Sequence, residues 1–236
     1  MRIDVVIPAL DEEASLPLVL ADLARIRDRV PWRRIVVVDN GSRDRTAEVA
    51  RQMGAEVLHE PRRGYGSACL TGLAHLYPDP PDTVVFLDGD HADHVEDLPL
   101  LLQPIREGQA DLVIGSRTAG AAEPGALLPQ ARFGNWLACR LIEALYDHRY
   151  TDLGPFRALR WEALERLEMR DDGFGWTVEM QMKALERGLA VVEVPVRYRR
   201  RVGRSKISGT VRGTVLAGAK ILWTIGRHGW RRRWRG

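Results

Sequence analysis

TVVFLDGDHADH, residues 83–94, is an apolar run that stops at two aspartates with one glycine between them. Such a run reads as a buried strand. Its end would hold Asp88 and Asp90 side by side, where they repel each other unless a cation lies between them. Hard divalent cations, Mg²⁺ or Mn²⁺, suit that pair, because they take oxygen ligands and are often held by one or two carboxylates together with substrate phosphates. Gly89 would let the backbone approach a ligand closely. The tripeptide also fits a solvated turn whose aspartate caps a helix, but its place after a strong strand favours the functional reading.

Similar runs occur on either side: DVVIPA (4–9), RIVVVD (34–39), AEVLHE (55–60) and DLVIGS (111–116). Between them lie segments with apolar residues at helical spacing, such as Leu16, Val19, Leu20, Leu23 and Ile26. This alternation predicts right-handed βαβ units and hence an α/β fold, with a mostly parallel central sheet flanked by helices. Ligands bind such sheets beyond the carboxyl ends of the strands. The polar clusters fall there: PALDEE, DNGSRDRT, EPRRGYG, DGDHAD and GSR follow the five strands in turn. Past residue 120 the segments 131–146 and 176–188 read as helices and 189–198 as a further strand.

With 236 residues and 45% hydrophobic content the chain can bury one large core, and no linker or repeat divides its first 200 residues. Cys69 and Cys139 lie far apart in apolar, helix-like stretches, which suggests neither a disulfide framework nor a zinc knuckle and fits a reducing cytoplasm. MRIDVVIPAL runs directly into a strand, unlike a signal peptide. The formal charge is only +3, but RYRRRVGRSK (197–206) and RHGWRRRWRG (227–236) gather positive charge near the C-terminus, which points to an anionic partner.

Two further loops carry chemistry. Asp39, at a strand end in VVVDNGSRDRT (36–46), is placed to accept hydrogen bonds from a nucleobase or ribose, while Ser42, Asp44 or Thr46 can cap the helix that follows. PRRGYGSA (61–68) is glycine-rich before a helix, so backbone N–H groups around Gly64 can receive phosphate, aided by Arg62 or Arg63.

Together these stretches resemble the GT-A (Rossmann-like) glycosyltransferases of family 2, and within them the polyprenyl- or dolichyl-phosphate mannosyl- and glucosyltransferases. DLVIGSR, TDLGPFRALR, GWTVEMQMKALERG and VEVPVRYRRRVGRSKISGT extend the likeness to about residue 215. The resemblance implies a GT-A catalytic domain over 1–208 and an inverting transfer from a UDP- or GDP-sugar. It implies that Pro8, Ala9, Glu12 and Asp39 contact the nucleotide, and that Asp88 and Asp90 meet the divalent metal and the diphosphate. Arg117 and Arg132 resemble positions that grip an acceptor phosphate, and Arg204, Ser205 and Lys206 would fold over the diphosphate as a lid. Two positions depart from the pattern: Asn40 stands where many relatives have a second aspartate, and Ala92 where some have a metal-binding glutamine, which His91, Asp93, His94 or water would have to replace.

The acceptor decides what else the site needs. A hydroxyl requires a general base, for which Asp152 and Glu179 are the candidates. A phosphate, with a second pKa of about 6, is already ionised and needs arginines more than a base. The arginines at 117, 132, 157, 160 and 197–204 favour phosphate, so polyprenyl phosphate is the expected acceptor. Residues 209–236 combine an amphipathic, helix-like stretch with Trp223, Trp230 and Trp234 among arginines, the composition of a segment lying on an anionic membrane surface. A cytoplasmic protein, peripheral at the inner face of the cell membrane, is expected.

Rival classes fit less well. A sugar nucleotidyltransferase wants a glycine-rich phosphate loop after the first strand, and PALDEEASL has none. An aspartate-nucleophile phosphohydrolase leaves GSR, GPFR and GRSK unexplained. A nucleic acid partner is not expected, since the acidic crevice would repel a phosphate backbone.

Overall fold

The β-branched runs form strands where expected in a computed structural model that describes residues 1–203 and 211–233. In chain order the elements are β1 (Ile3–Ala9), α1 (Leu16–Arg25), β2 (Trp32–Asp39), α2 (Thr46–Gln52), β3 (Glu56–His59), α3 (Tyr65–Leu76), β4 (Thr83–Phe86), α4 (Leu98–Arg106) and β5 (Leu112–Ser116). Then follow α5 (Pro129–Tyr146), β6 (Arg157–Arg160), α6 (Trp161–Leu167), α7 (Trp176–Glu186), β7 (Val191–Pro195) and α8 (Val211–Arg233). The sheet runs β3-β2-β1-β4-β6-β5-β7. All neighbours are parallel except β6, which lies antiparallel between β4 and β5.

The pattern reading lacked strand β6 and the short helix α6 that follows it. The four residues of β6, RALR, are too few to show a period, and pairing on both edges makes them a strand. Successive side chains of the strands enter opposite faces. Val6, Val36 and Phe86 pack with α3, α5 and α7, whereas Val5, Val37 and Val85 pack with α1 and α4. Both cysteines are buried and free.

Register creates the crevice. Ala9 pairs with Asp39 and Asp39 with His59, so three strands end level. Strand β4 pairs with β1 only as far as Val6 and Phe86, and the chain from Leu87 to Asp90 turns away beside the free end of β1. The expected strand 83–88 therefore stops short, and its two aspartates stand on a loop.

Helix α8 packs along α5 and α7, burying Ala217, Thr224 and Ile225. Lys220 Nζ lies 3.1 Å from Asp171 Oδ2, and His228 Nδ1 lies 2.9 Å from Glu186 Oε1, which also accepts the Tyr146 hydroxyl. Among the described residues no helix is long and apolar enough to cross a membrane. The expected boundary at residue 208 and Trp234 lie outside the described residues.

Candidate active site

A cavity of about 490 Å³ opens at the carboxyl ends of β1 and β4. Pro8, Ala9 and Glu12 line one side, Arg63 and Gly64 another, and Asp88, Gly89 and Asp90 reach it from the loop after β4. The sequence reading had singled out all of these. Asn40, Tyr65, Gly173, Phe174 and Arg201 also line it. Of these, Asn40 had drawn notice as a departure and Arg201 as one of the arginines at 197–204, whereas DDGFGW (171–176) is a glycine-bearing stretch whose signal lay too far along the chain to be joined to the crevice.

The two aspartates differ. Asp90 is buried; its Oδ1 accepts the Ala92 N–H at 2.9 Å and its Oδ2 lies 2.6 Å from Arg201 Nη2. Asp88 Oδ1 is buried without a hydrogen-bond partner. Burial, and then the charge of Asp90, push the Asp88 carboxyl up to about 7. An orphaned carboxylate oxygen beside a second carboxylate that already holds a guanidinium is a site that demands positive charge. A hard divalent cation fits these residues. Among the described residues no three His, Cys, Asp or Glu side chains converge on one point, so the chain offers two carboxylates and leaves room for oxygens of a bound diphosphate.

The stand-ins for Ala92 divide. His91 has a left-handed backbone (φ +61°), and its Nε2 lies 2.9 Å from Asp22 Oδ2 on α1, which commits it elsewhere. His94 Nδ1 lies 3.6 Å from Glu96. Asp93 is buried with neither carboxylate oxygen partnered, and burial followed by the charges of Asp88 and Asp90 holds it protonated well above the usual carboxylate range.

Reciprocal bonds build the nucleotide-side wall. The N–H groups of Asp11, Glu12 and Glu13 donate to the side chains of Ser42, Thr46 and Asp44 at 2.9, 2.7 and 3.1 Å, and the Arg43 N–H donates back to Asp11 Oδ1 at 2.7 Å. Asp44 Oδ1 also accepts the Thr46 N–H at the start of α2. Asp39 is buried, accepts the Ser42 N–H at 3.0 Å and faces His59 Nδ1 at 3.2 Å. Asn40 explains its own departure: its amide donates to Glu60 O and Arg62 O at 3.1 and 2.8 Å and accepts the Gly64 N–H at 2.8 Å. An ionised aspartate could not donate either bond.

The glycine-rich turn does different work from the phosphate cradle expected of it. The Gly64 N–H goes to Asn40, the Gly66 N–H to Gly173 O at 3.2 Å and the Ser67 N–H to Asp172 O at 2.9 Å. A Cβ on Gly64 would lie 2.1 Å from Asp172 O, and one on Gly66 2.0 Å from Asp171 O. The glycines let the 171–173 loop close onto the N-terminus of α3. Arg63 remains in the crevice wall, with Nη2 donating to Gly41 O at 2.7 Å.

On the acceptor side three sequence assignments change. Asp152 is fully buried and accepts Arg117 N, Nε and Nη2 at 2.7, 2.8 and 2.7 Å, so its carboxylate is occupied. Glu179 accepts the N–H groups of Arg170 and Asp171 and pairs with Lys183 at 2.8 Å, which makes it the anchor of the loop before α7. Arg157 is fully buried, with its guanidinium on Gly154 O, Leu153 O, Thr177 O and Met180 Sδ; it is a core residue and grips no phosphate. Arg117, held by Asp152, sits 5.2 Å from the Tyr198 ring centre. Arg132 is exposed beside a groove of about 480 Å³ that Phe133, Trp136 and Arg149 also line. Arg204, Ser205 and Lys206 lie outside the described residues.

A sheet of order 3-2-1-4-6-5-7 with a DGD loop in a crevice at its carboxyl ends defines a class, the GT-A glycosyltransferases. The chain belongs to glycosyl transferase family 2, whose model matches residues 4–167. An uncharacterized glycosyltransferase of Mycobacterium tuberculosis (strain ATCC 25618 / H37Rv) is 39% identical over 91% of this chain and 94% of its own. The undecaprenyl-phosphate mannosyltransferase of Micrococcus luteus is 31% identical over 100% of this chain and 97% of its own, and a dolichyl-phosphate hexose transferase of Haloferax volcanii is 37% identical over 90% and 89%. Among solved structures, the M. tuberculosis glucosyl-3-phosphoglycerate synthase in complex with Mn²⁺, UDP-glucose and phosphoglyceric acid superposes with a TM-score of 0.76 at 25% identity, over 97% of this chain and 79% of that one.

Proposed function

We propose that this glycosyltransferase moves a hexose from a UDP- or GDP-sugar to polyprenyl phosphate, with inversion, at a membrane surface, and that Asp88 and Asp90 hold Mg²⁺ or Mn²⁺. The observation that carries the reading is the carboxylate pair in the crevice, with one buried oxygen lacking any partner. The solved neighbour with Mn²⁺ and UDP-glucose and the relatives named for undecaprenyl- and dolichyl-phosphate transfer support it.

The residues divide the work as follows. Pro8, Ala9 and Glu12 line the nucleotide end of the crevice, and Asp39, which is not among its lining residues, is buried at the end of β2 where it accepts the Ser42 N–H. A cation held by Asp88 and Asp90 would neutralise charge on the departing diphosphate, and stabilising charge that grows in the transition state is usually the largest catalytic term. Arg63 and Arg201 add positive charge along the same wall. Arg117, clamped by Asp152 and backed by Tyr198, is a rigid guanidinium with donors to spare for an acceptor phosphate. An ionised phosphate needs no base, and this agrees with the occupied carboxylates of Asp152 and Glu179.

The membrane reading rests on two helices packed together. Helix α5 exposes Phe133 and Trp136, whose rings lie 5.8 Å apart, and α8 exposes Leu216, Leu222 and Trp223, the last flanked by Lys220 and Arg227. Aromatic rings beside cations suit an anionic interface.

The test is to incubate the protein with Mg²⁺ or Mn²⁺, a panel of UDP- and GDP-sugars and polyprenyl phosphate, alongside Asp90→Ala. Metal-dependent glycolipid that disappears in the variant is the expected result. Donor hydrolysis without glycolipid would redirect the acceptor to a hydroxyl, and no turnover of any donor would defeat the proposal.

A further inference from the structure

The sequence counted Arg201 only as one of the arginines at 197–204 that favour a phosphate acceptor, yet its guanidinium lies on a carboxylate oxygen of the expected metal pair. Asp90 Oδ1 already accepts the Ala92 N–H at 2.9 Å, so Oδ2 is the oxygen whose lone pairs the backbone leaves open to a cation. Oδ2 is the atom that lies 2.6 Å from Arg201 Nη2. The backbone enforces the contact: the Arg199 N–H donates to Ala92 O at 2.8 Å, the Val202 N–H donates to Asp90 O at 3.0 Å, and Tyr198 bridges Asp93. The segment 198–202 is thus zipped onto the loop 90–93, with Arg201 directed into the crevice that it helps to line. Its side chain is about a third exposed, so it has a way out.

We propose that Arg201 is the resident counter-charge of the Asp88–Asp90 pair in the metal-free protein, that a divalent cation gains Asp90 only by displacing it, and that a donor diphosphate, by offering the guanidinium another partner, makes metal and nucleotide binding cooperative. The inference rests on the metal reading above. Arg201 is then a positioning residue that sets the order of binding. The free protein takes metal weakly, and nucleotide tightens it; by linkage, metal tightens nucleotide by the same factor.

The test is Mn²⁺ titration followed by electron paramagnetic resonance on the whole chain, with and without UDP, for the wild type, Arg201→Gln, Arg201→Lys and Asp90→Asn. Without UDP, Arg201→Gln binds Mn²⁺ about tenfold more tightly than wild type, the scale of one charge-assisted bond. The tightening caused by UDP shrinks in that variant and persists in Arg201→Lys. The Mn²⁺-induced rise in thermal midpoint, larger in Arg201→Gln than in wild type, reads the same competition in folded protein. Asp90-dependent Mn²⁺ binding that is no tighter in Arg201→Gln overturns the role of Arg201 and leaves the metal reading standing. Absence of Asp90-dependent binding in every sample, with UDP present, overturns both.

Discussion

Asp152 and Arg117 show how a partner redefines a residue. A carboxylate with no exposure and three bonds from one arginine is the arginine's support. Replacing Asp152 by Asn leaves a largely buried guanidinium without its counter-charge, at a cost of about 3 kcal/mol in urea-denaturation stability. The same change should raise KM for the acceptor phosphate more than KM for the donor. Unchanged stability with a collapsed kcat would restore Asp152 as a base. The residue types were legible at this scale: Asp88, Asp90, Glu12 and Arg63 reach one crevice as expected. Whether a carboxylate is free was not, because Asp152 is spent on a residue 35 positions away. The same holds for Arg157, whose carbonyl partners belong to turns that a residue pattern does not encode.

At the scale of elements, the decisive contact joins the start of α3, the loop 171–175 and α8. The loop's carbonyls take the Gly66 and Ser67 N–H groups, and a Cβ on Gly175 would meet Thr224 Oγ1 of α8 at 2.6 Å. Gly66→Ala must push its new carbon against the Asp171 carbonyl, backbone that cannot swing aside, and is expected to cost about 2–3 kcal/mol and to weaken nucleotide binding at the adjoining wall. Gly134→Ala on α5 is the control. Nothing lies within 4 Å of its added carbon, and relief of helix-interior glycine should stabilise by about 0.5–1 kcal/mol. Thermal midpoints moving in opposite directions would confirm the contrast; equal midpoints would refute the close-approach account. Glycines ahead of a helix look alike in a sequence whether they admit a phosphate or another loop.

For the whole molecule, the exposed residues of α5 and α8 lie on helices that pack side by side. Converting Phe133 and Trp136 together to Ser should weaken co-sedimentation with anionic vesicles about tenfold or more, as should Trp223→Ser, since burying one large aromatic contributes about 1.5–3 kcal/mol. Hydrolysis of soluble donor should be unaffected in these variants. Vesicle binding that survives all of them would remove the membrane reading.

The sequence by itself determined the βαβ order, the polar strand ends and hence the place of the crevice, because hydrophobic periodicity and strand-end chemistry are local properties of a chain. Tertiary structure decided the rest. It inserted β6 antiparallel into the sheet, spent Asp152 on Arg117, closed a distant loop over the glycine turn and brought Arg201 to Asp90. Burial and charge pairing are properties of neighbours in space, and residues 35 to more than 100 positions apart became neighbours only when the sheet closed.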